Sequence, residues 1–472
     1  MKSIIVRTIL FFVLLSPVKV SYSQSTLTLK KGVVIDSLAV PSSEGVYSIY
    51  LPKSFDLNKG WPILFGFDST GSMSSLTQLF SKSAEEFGYI VVVSNYGEKL
   101  SVDDKSTYVE LFIKHIVSLF PVQNKRMYVF GVGKDAPLNT SLPLLYKQFY
   151  GVLAIGDGYD YKLKLNRNRN FSYIGMVGDQ NFKYQNFVNT HKYFKKKGIA
   201  SEVYVYQGNE GLPSEKIIAK ALPYFTLDAM IKGNIPKDSV WIENEYQKEL
   251  KEVELLKKDG KYLLAYDQLE KMRDKYDRFL GDEELKNAQK GIRKIKSFKK
   301  QKRLRTKYKN QEIYLRQFYV LALDEDIVLS AYDNLGWWQY RIQELDKLKK
   351  ENNKYAGDLV VRIRGFLKYI LSEYKKELSR DPKLIDKMIL LNILSTIVDK
   401  HDFDAYRKII SLSVLDGDNG TALFYLEKML QNGFKDLEAL YTIEGTLPLR
   451  ISKEYNEIIK KHLGRSKYFS LD

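Results

Sequence analysis

Residues 128–135 read Tyr-Val-Phe-Gly-Val-Gly-Lys-Asp, an apolar run that enters a glycine-flanked turn. A strand breaking sharply into a helix is how a serine nucleophile is lifted clear of the backbone in G-x-S-x-G patterns. Here the central position is Gly133, followed by Lys134 and Asp135. Acyl transfer needs a nucleophile, a base to take its proton and a carboxylate to orient the base. This turn offers no hydroxyl for the first role. Short glycine turns are common, so the meaning of G-x-G-x-D depends on what surrounds it.

Other chemistry is bounded by composition. The chain has no cysteine, which excludes thiol catalysis, Cys-ligated metals and disulfides. Its four histidines (His115, His191, His401 and His462) are scattered, so no metal and no cofactor is expected. Ser69, Ser72, Ser74 and Ser75 cluster after an apolar run, yet no histidine base stands ready to activate them. Lys134 beside the turn would remain protonated if exposed on a helix start.

The elements that must position these residues follow from pattern. Lys2 and Arg7, the apolar run 9–15 and Ser21-Tyr22-Ser23 read as a cleaved secretory signal over 1–23. The run is too short to span a bilayer and is interrupted by Pro17 and Lys19. The chain is therefore expected to be exported, to the periplasm, the outer membrane or beyond. From 24 to 232, short Val/Ile/Tyr-rich runs alternate with amphipathic stretches, which predicts α/β architecture with a mainly parallel sheet covered on both faces. The stretch 233–238 reads as a linker, and 239–472 is helical in pattern and rich in Lys and Glu.

Four segments carry a closer likeness. Tyr47-Ser-Ile-Tyr-Leu-Pro52, Trp61-Pro-Ile-Leu-Phe-Gly-Phe-Asp68, Phe87-Gly-Tyr-Ile-Val-Val-Val-Ser-Asn95 and Arg126-Met-Tyr-Val-Phe-Gly131 resemble, in order and type, the α/β-hydrolase fold. More narrowly, they are similar to secreted esterases related to polyhydroxybutyrate depolymerases. The resemblance spans roughly residues 30 to 230 and implies where a triad would lie. Gly133 takes the nucleophile position, with the bulk of Asp135 unfavourable for close helix–strand packing. In Gly178-Asp-Gln-Asn-Phe-Lys-Tyr184, Asn181 takes the acid position, with Asp179 two residues early. In Gly208-Asn-Glu-Gly-Leu-Pro213, Asn209 is the best candidate for the histidine position. His115 and His191 are expected to be structural, His191 on a solvated helix face.

The resemblance therefore implies a chain that is not an enzyme, a hydrolase relative with a degenerate triad used for binding or scaffolding. The strand-end loops offer Asp68, Asn95, Tyr96, Lys134, Asp157, Tyr159, Asn181 and Asn209, and Asp179 lies close by; together they either hold a polar ligand or line a filled, vestigial cleft. The alternative is a secreted carboxylesterase or depolymerase with a relocated set, using a loop serine and Asp179.

The second half suggests contacts rather than chemistry. Gly260–Ala265, with Leu269 and Met272, resembles the second helix of a tetratricopeptide-like hairpin, against which an unrelated helical bundle stands as the plain alternative. Residues 290–309 hold eleven Lys/Arg and no Asp or Glu, with Ile292, Ile295, Phe298 and Leu304 at helical spacing, which predicts one long helix. Its cations, among them Lys299, Lys300, Lys302, Arg303 and Arg305, form either a plain solvated face or a surface for an anionic glycan, membrane or acidic protein. The net charge of +17, falling by three to +14 without Lys2, Arg7 and Lys19, agrees with such a neighbour. Trp337 and Trp338 point to adjacent sides of a helix, so that one is free to dock on the first domain or a partner. An envelope assembly for transport or secretion supplies such partners; nucleic acid is not expected, since no binding motif is present.

Overall fold

The structure, a computed structural model, describes residues 29–95, 102–159, 165, 170–209, 211–351, 353–379 and 384–468. The expected signal segment 1–23 and Tyr96 lie outside them. Among the described residues, eight strands form one sheet in the order β1-β2-β4-β3-β5-β6-β7-β8. They are β1 (Val34–Ala39), β2 (Val46–Tyr50), β3 (Trp61–Asp68), β4 (Ile90–Asn95), β5 (Val122–Val132), β6 (Phe149–Ile155), β7 (Ser172–Gly178) and β8 (Ser201–Tyr206). Only the β1–β2 and β2–β4 pairs are antiparallel; every later pairing is parallel. This is the mainly parallel α/β sheet that the alternation of runs implies, followed by a large helical region.

Burial on both faces explains the apolar runs. In β3, Ile63, Phe65 and Phe67 face helices α2 (Val102–Leu119) and α4 (Tyr184–Lys196), meeting Phe112, Ile116, Phe187 and Phe194 in one core. Leu64, with Tyr128 and Phe130 of β5, faces helices α1 (Met73–Phe87) and α5 (Ala221–Ile231) in the other. The period of two sends alternate side chains to opposite faces, and each finds a helix. Helix α3 (Ala136–Leu145) leaves the end of β5 through the turn 133–135.

Two elements escape simple pattern. Strand β1 is short, largely exposed and bulged between Ile35 and Leu38, with Ser37 at φ 58°. Helix α1 absorbs Ser74 and Ser75, so the serine-rich stretch is part loop and part helix.

The helical region runs through α6 (Ser239–Lys258), α7 (Tyr262–Leu280), α8 (Glu283–Lys294), α9 (Lys296–Leu329), α10 (Leu335–Lys349), α11 (Lys354–Leu378), α12 (Ile385–Val398), α13 (Phe403–Leu415), α14 (Asn419–Gln431) and α15 (Lys453–Leu463). Asp238, Asp402 and Asp418 cap their helices by accepting backbone N–H groups, satisfying donors a helix start leaves free. Its apolar side chains gather mainly in three successive clusters rather than one core: Leu263, Leu269 and Met272; then Leu323, Trp338 and Leu359; then Leu426, Leu440 and Ile459. Leu227 and Met230 of α5 join the first, so the halves share buried surface. No helix among the described residues is long and apolar enough to cross a membrane.

Candidate functional site

The carboxyl ends of the parallel strands bring the loop candidates together. Gly133 sits where β5 turns into α3 with φ 51°, and a Cβ built there meets nothing within 4 Å. The backbone is in the left-handed region that a nucleophile turn demands, and space opens in front of it. A Cβ on Gly156, after β6, would stand 4.0 Å from the Gly133 nitrogen, and Asn181 donates to the Gly156 carbonyl at 3.2 Å. Asn181 is 6 % exposed and also accepts the Lys183 N–H at 2.8 Å, so its amide holds the loop after β7.

The turn corrects one expectation. Close packing of helix on strand is made at Gly131, whose Cβ would fall 2.7 Å from Ala136 Cα and Asn139 Cβ. Asp135 does not obstruct it, because its side chain points to the loop after β3. Its carboxylate accepts the Ser69 N–H at 3.0 Å and the Ser69 hydroxyl at 2.8 Å. Asn139 completes the joint by donating to Phe67 O and Asp135 O at 3.0 and 2.8 Å. Asp68, paired in register with Asn95, accepts from the Thr70 hydroxyl and the Ser72 N–H, both at 2.6 Å. Lys134 is exposed, and Asp157 forms an ion pair with Lys183.

Asp179 and Asn209 belong to two loops that cross. A Cβ on Gly178 would collide with Gly208 O at 2.2 Å and approach Asn209 O at 3.0 Å, so only glycine lets the loop after β8 lie over the end of β7. Asp179 accepts the Gly208 N–H at 3.0 Å and takes an ion pair from Lys354 of α11. That carboxylate is therefore committed to the helical region. Burial lowers the Lys354 ammonium, but its bonds to Asp179 and Asp358 outweigh it and hold it above its ordinary value.

The rest of this loop is held the same way. Gln180 donates to Asp358 at 3.0 Å, Arg316 of α9 donates to Phe182 O at 2.6 Å, and Arg362 donates to Asp179 O. Phe182 stacks on Tyr369 at 5.1 Å. Behind them, Glu312 accepts from both Arg316 and Arg362 at 2.8 Å, with Glu312 and Arg362 nearly sealed from solvent. Burial pulls the Arg316 guanidinium below its ordinary value, against the opposing pull of Glu312. These clamp residues carry a sequence signal: Glu312 and Arg362 interrupt apolar helical stripes formed by Tyr308, Leu315 and Tyr319, and by Leu359, Ile363 and Leu367.

Both histidines of this half lie elsewhere. His191 is not on a solvated face; it is half-buried and shares a 3.0 Å hydrogen bond with Ser201 at the amino end of β8, away from the strand-end loops. His115 packs edge-on against Tyr47. Burial holds both imidazoles below their ordinary value.

One expectation for the helical half is corrected. Residues 290–309 are not one helix, since Ile295 is extended (ψ 128°) between α8 and α9. The break lets Phe298 pack on Tyr266 at 5.1 Å and Gln301 bond to Gly260 O and Leu263 N at 2.8 and 2.9 Å. Lys299, Lys300, Lys302 and Arg303 are exposed, whereas Arg305 turns inward to an ion pair with Asp267. Of the tandem tryptophans one is core, and the packing of the other among the described residues lies within the helical half. Trp338 is 2 % exposed and donates to Asp326 at 2.6 Å; Trp337, half-buried, packs on Phe318.

No protein-family model matches the chain, and no curated protein matches it in sequence. Solved structures are similar to part of it. A fluorophosphonate-binding serine hydrolase of Staphylococcus aureus is 12% identical, covering 41% of this chain and 97% of its own, with a TM-score of 0.34. S-formylglutathione hydrolase from the same organism is 11% identical over 41% and 97%, TM-score 0.35, and a ferulic acid esterase is 14% identical over 41% and 98%, TM-score 0.34. The expectation that the chain is not an enzyme is corrected on this finding: the structures it is similar to are hydrolases and esterases, and Gly133, Asn181 and Asn209 do not by themselves establish a lost catalytic set.

Proposed function

We propose that the chain is exported to the cell envelope and acts there as a binding or scaffolding subunit, its helical-repeat-like half making the partner contacts. The observation that supports this is the clamp on residues 179–182. A loop that serves the cleft in this fold is tied instead to α9 and α11 through Lys354, Arg316 and Arg362. With Glu312 and Arg362 buried at that joint, a partner engaged by the helices is mechanically linked to the strand-end loops. The test is recovery from solubilised envelope with the full chain as bait. A defined co-purifying protein is expected, and recovery of the bait alone would overturn the proposal.

One hydrogen bond favours a second reading, an ester hydrolase with a relocated catalytic set. Ser69, half-buried at the end of β3, gives its hydroxyl hydrogen to Asp135 beside the open space at Gly133. In that arrangement the Ser69 oxygen attacks the ester carbonyl as its proton passes to Asp135, the proton leaves with the alcohol, and water then releases the acid. Hydrolysis of short acyl esters and fluorophosphonate labelling, both abolished in Ser69→Ala, are the expected results. Activity that survives this substitution, or none in the unaltered chain, dismisses the Ser69 mechanism.

A further inference from the structure

The turn at Ile295 sets the end of α8 against the start of α9 around a concavity of about 680 Å³. Arg293 lines it from α8, and Lys299, Lys302, Arg303 and Lys307 line it from α9. No carboxylate is among the lining residues, and among the described residues none of these four α9 cations forms an ion pair. Arg293 is held over Tyr266, donating to its hydroxyl at 2.6 Å. Like charges gathered around one opening repel one another, and a bound polyanion relieves that repulsion. Lys299, Arg303 and Lys307 recur every four residues, about 6 Å apart along the helix axis. A chain laid along α9 therefore meets a cation at each turn.

We propose that this concavity binds an acidic polysaccharide, with carboxylates or sulfates engaged by Lys299, Arg303 and Lys307. The assignment rests on the reading of the helical half as the binding half and names the chemistry of what it binds. Spacing and lining choose the occupant. A lipid surface presents mobile headgroups in two dimensions, whereas the cations of α9 follow one line with Arg293 beside them, which suits a linear polyanion. A protein partner anchors large apolar side chains in apolar pockets. The one such residue lining this recess, Phe298, is 4 % exposed and already packed on Tyr266. Thr306 and Asn310 instead add a hydroxyl and an amide suited to sugar hydroxyls.

The test titrates the full chain with polygalacturonate and with neutral dextran. Polygalacturonate alone is expected to bind, and more weakly as salt rises and shortens the range of exposed charges. Arg303→Glu/Lys307→Glu should weaken binding by about tenfold or more, the scale of losing two solvent-exposed ion contacts. The equal charge change Lys435→Glu/Lys460→Glu, on exposed residues in the loop after α14 and in α15, should leave it intact. All four substituted residues are exposed, so melting temperature serves as the folding control. Absence of binding, equal loss in both double variants, or tighter binding to polyglutamate or phosphatidylglycerol vesicles would overturn the proposal. Should the Arg303→Glu/Lys307→Glu chain still recover its envelope partner while the unaltered chain ignores polygalacturonate, the groove assignment falls and the scaffolding role stands.

Discussion

Two glycines of one turn do different work. Gly131 is required by space, since a methyl there meets the backbone of Ala136 at 2.7 Å, whereas Gly133 is required by conformation alone, at φ 51° with nothing nearby. Gly131→Ala should therefore cost about 1–3 kcal/mol through forced displacement of α3. Gly133→Ala should cost only about 1 kcal/mol for a left-handed non-glycine residue. Chemical denaturation of the two variants checks the order, and equal losses would refute the distinction. The glycines themselves were legible in the sequence. The partner of Asp135 was not, because Ser69 lies 66 residues away and is reached only when β3 and β5 lie side by side.

At the scale of elements, helix α10 shows what a local pattern can and cannot say. Tandem tryptophans must face adjacent directions, but which one is buried depends on neighbours in α9. Trp338 stacks on Tyr319 at 5.7 Å, and its indole N–H reaches the buried Asp326, which Asn334 also serves. Trp338→Phe keeps the ring but removes a donor from that carboxylate, and should cost about 1–3 kcal/mol. Trp338→Ala should cost about 3–5 kcal/mol through the cavity it leaves. Trp337→Ala should cost clearly less, since Trp337 is only half-buried. Thermal melts of the three variants rank them, and a Trp337 loss as large as that of Trp338→Ala would contradict the packing described. The break at Ile295 is similarly silent in sequence. No glycine or proline marks it, and its cause is the docking of Phe298 and Gln301 on α7 and the turn before it.

At the scale of the whole molecule, the joint between the halves is built on buried charge. Arg362→Ala would leave Glu312 with only Arg316 and release Asp179 O, and breaking a buried pair in this way costs about 3–5 kcal/mol. Hydrogen exchange should show residues 178–183 losing protection in this variant while the central strands β3 to β5 keep theirs. Unchanged protection of that loop would mean the clamp does not hold it. Lys354 contributes in a definite direction. Its folded value lies above the ordinary one, so the stabilisation is fully present below the unfolded value and fades as pH rises through the folded one. The clamp should thus weaken on the alkaline side.

The sequence alone determined the class of fold, the two-part plan and the candidate strand-end residues, because hydrophobic period and turn chemistry are local and each run states its own need for burial. The tertiary structure decided what those residues do. The placing of β3 between β4 and β5, the bond of Asp135 to Ser69, the capture of Asp179 by α11 and the recess at Ile295 all join residues remote in the chain. Such contacts form only when packing has brought their elements together, and no spacing along one segment encodes them.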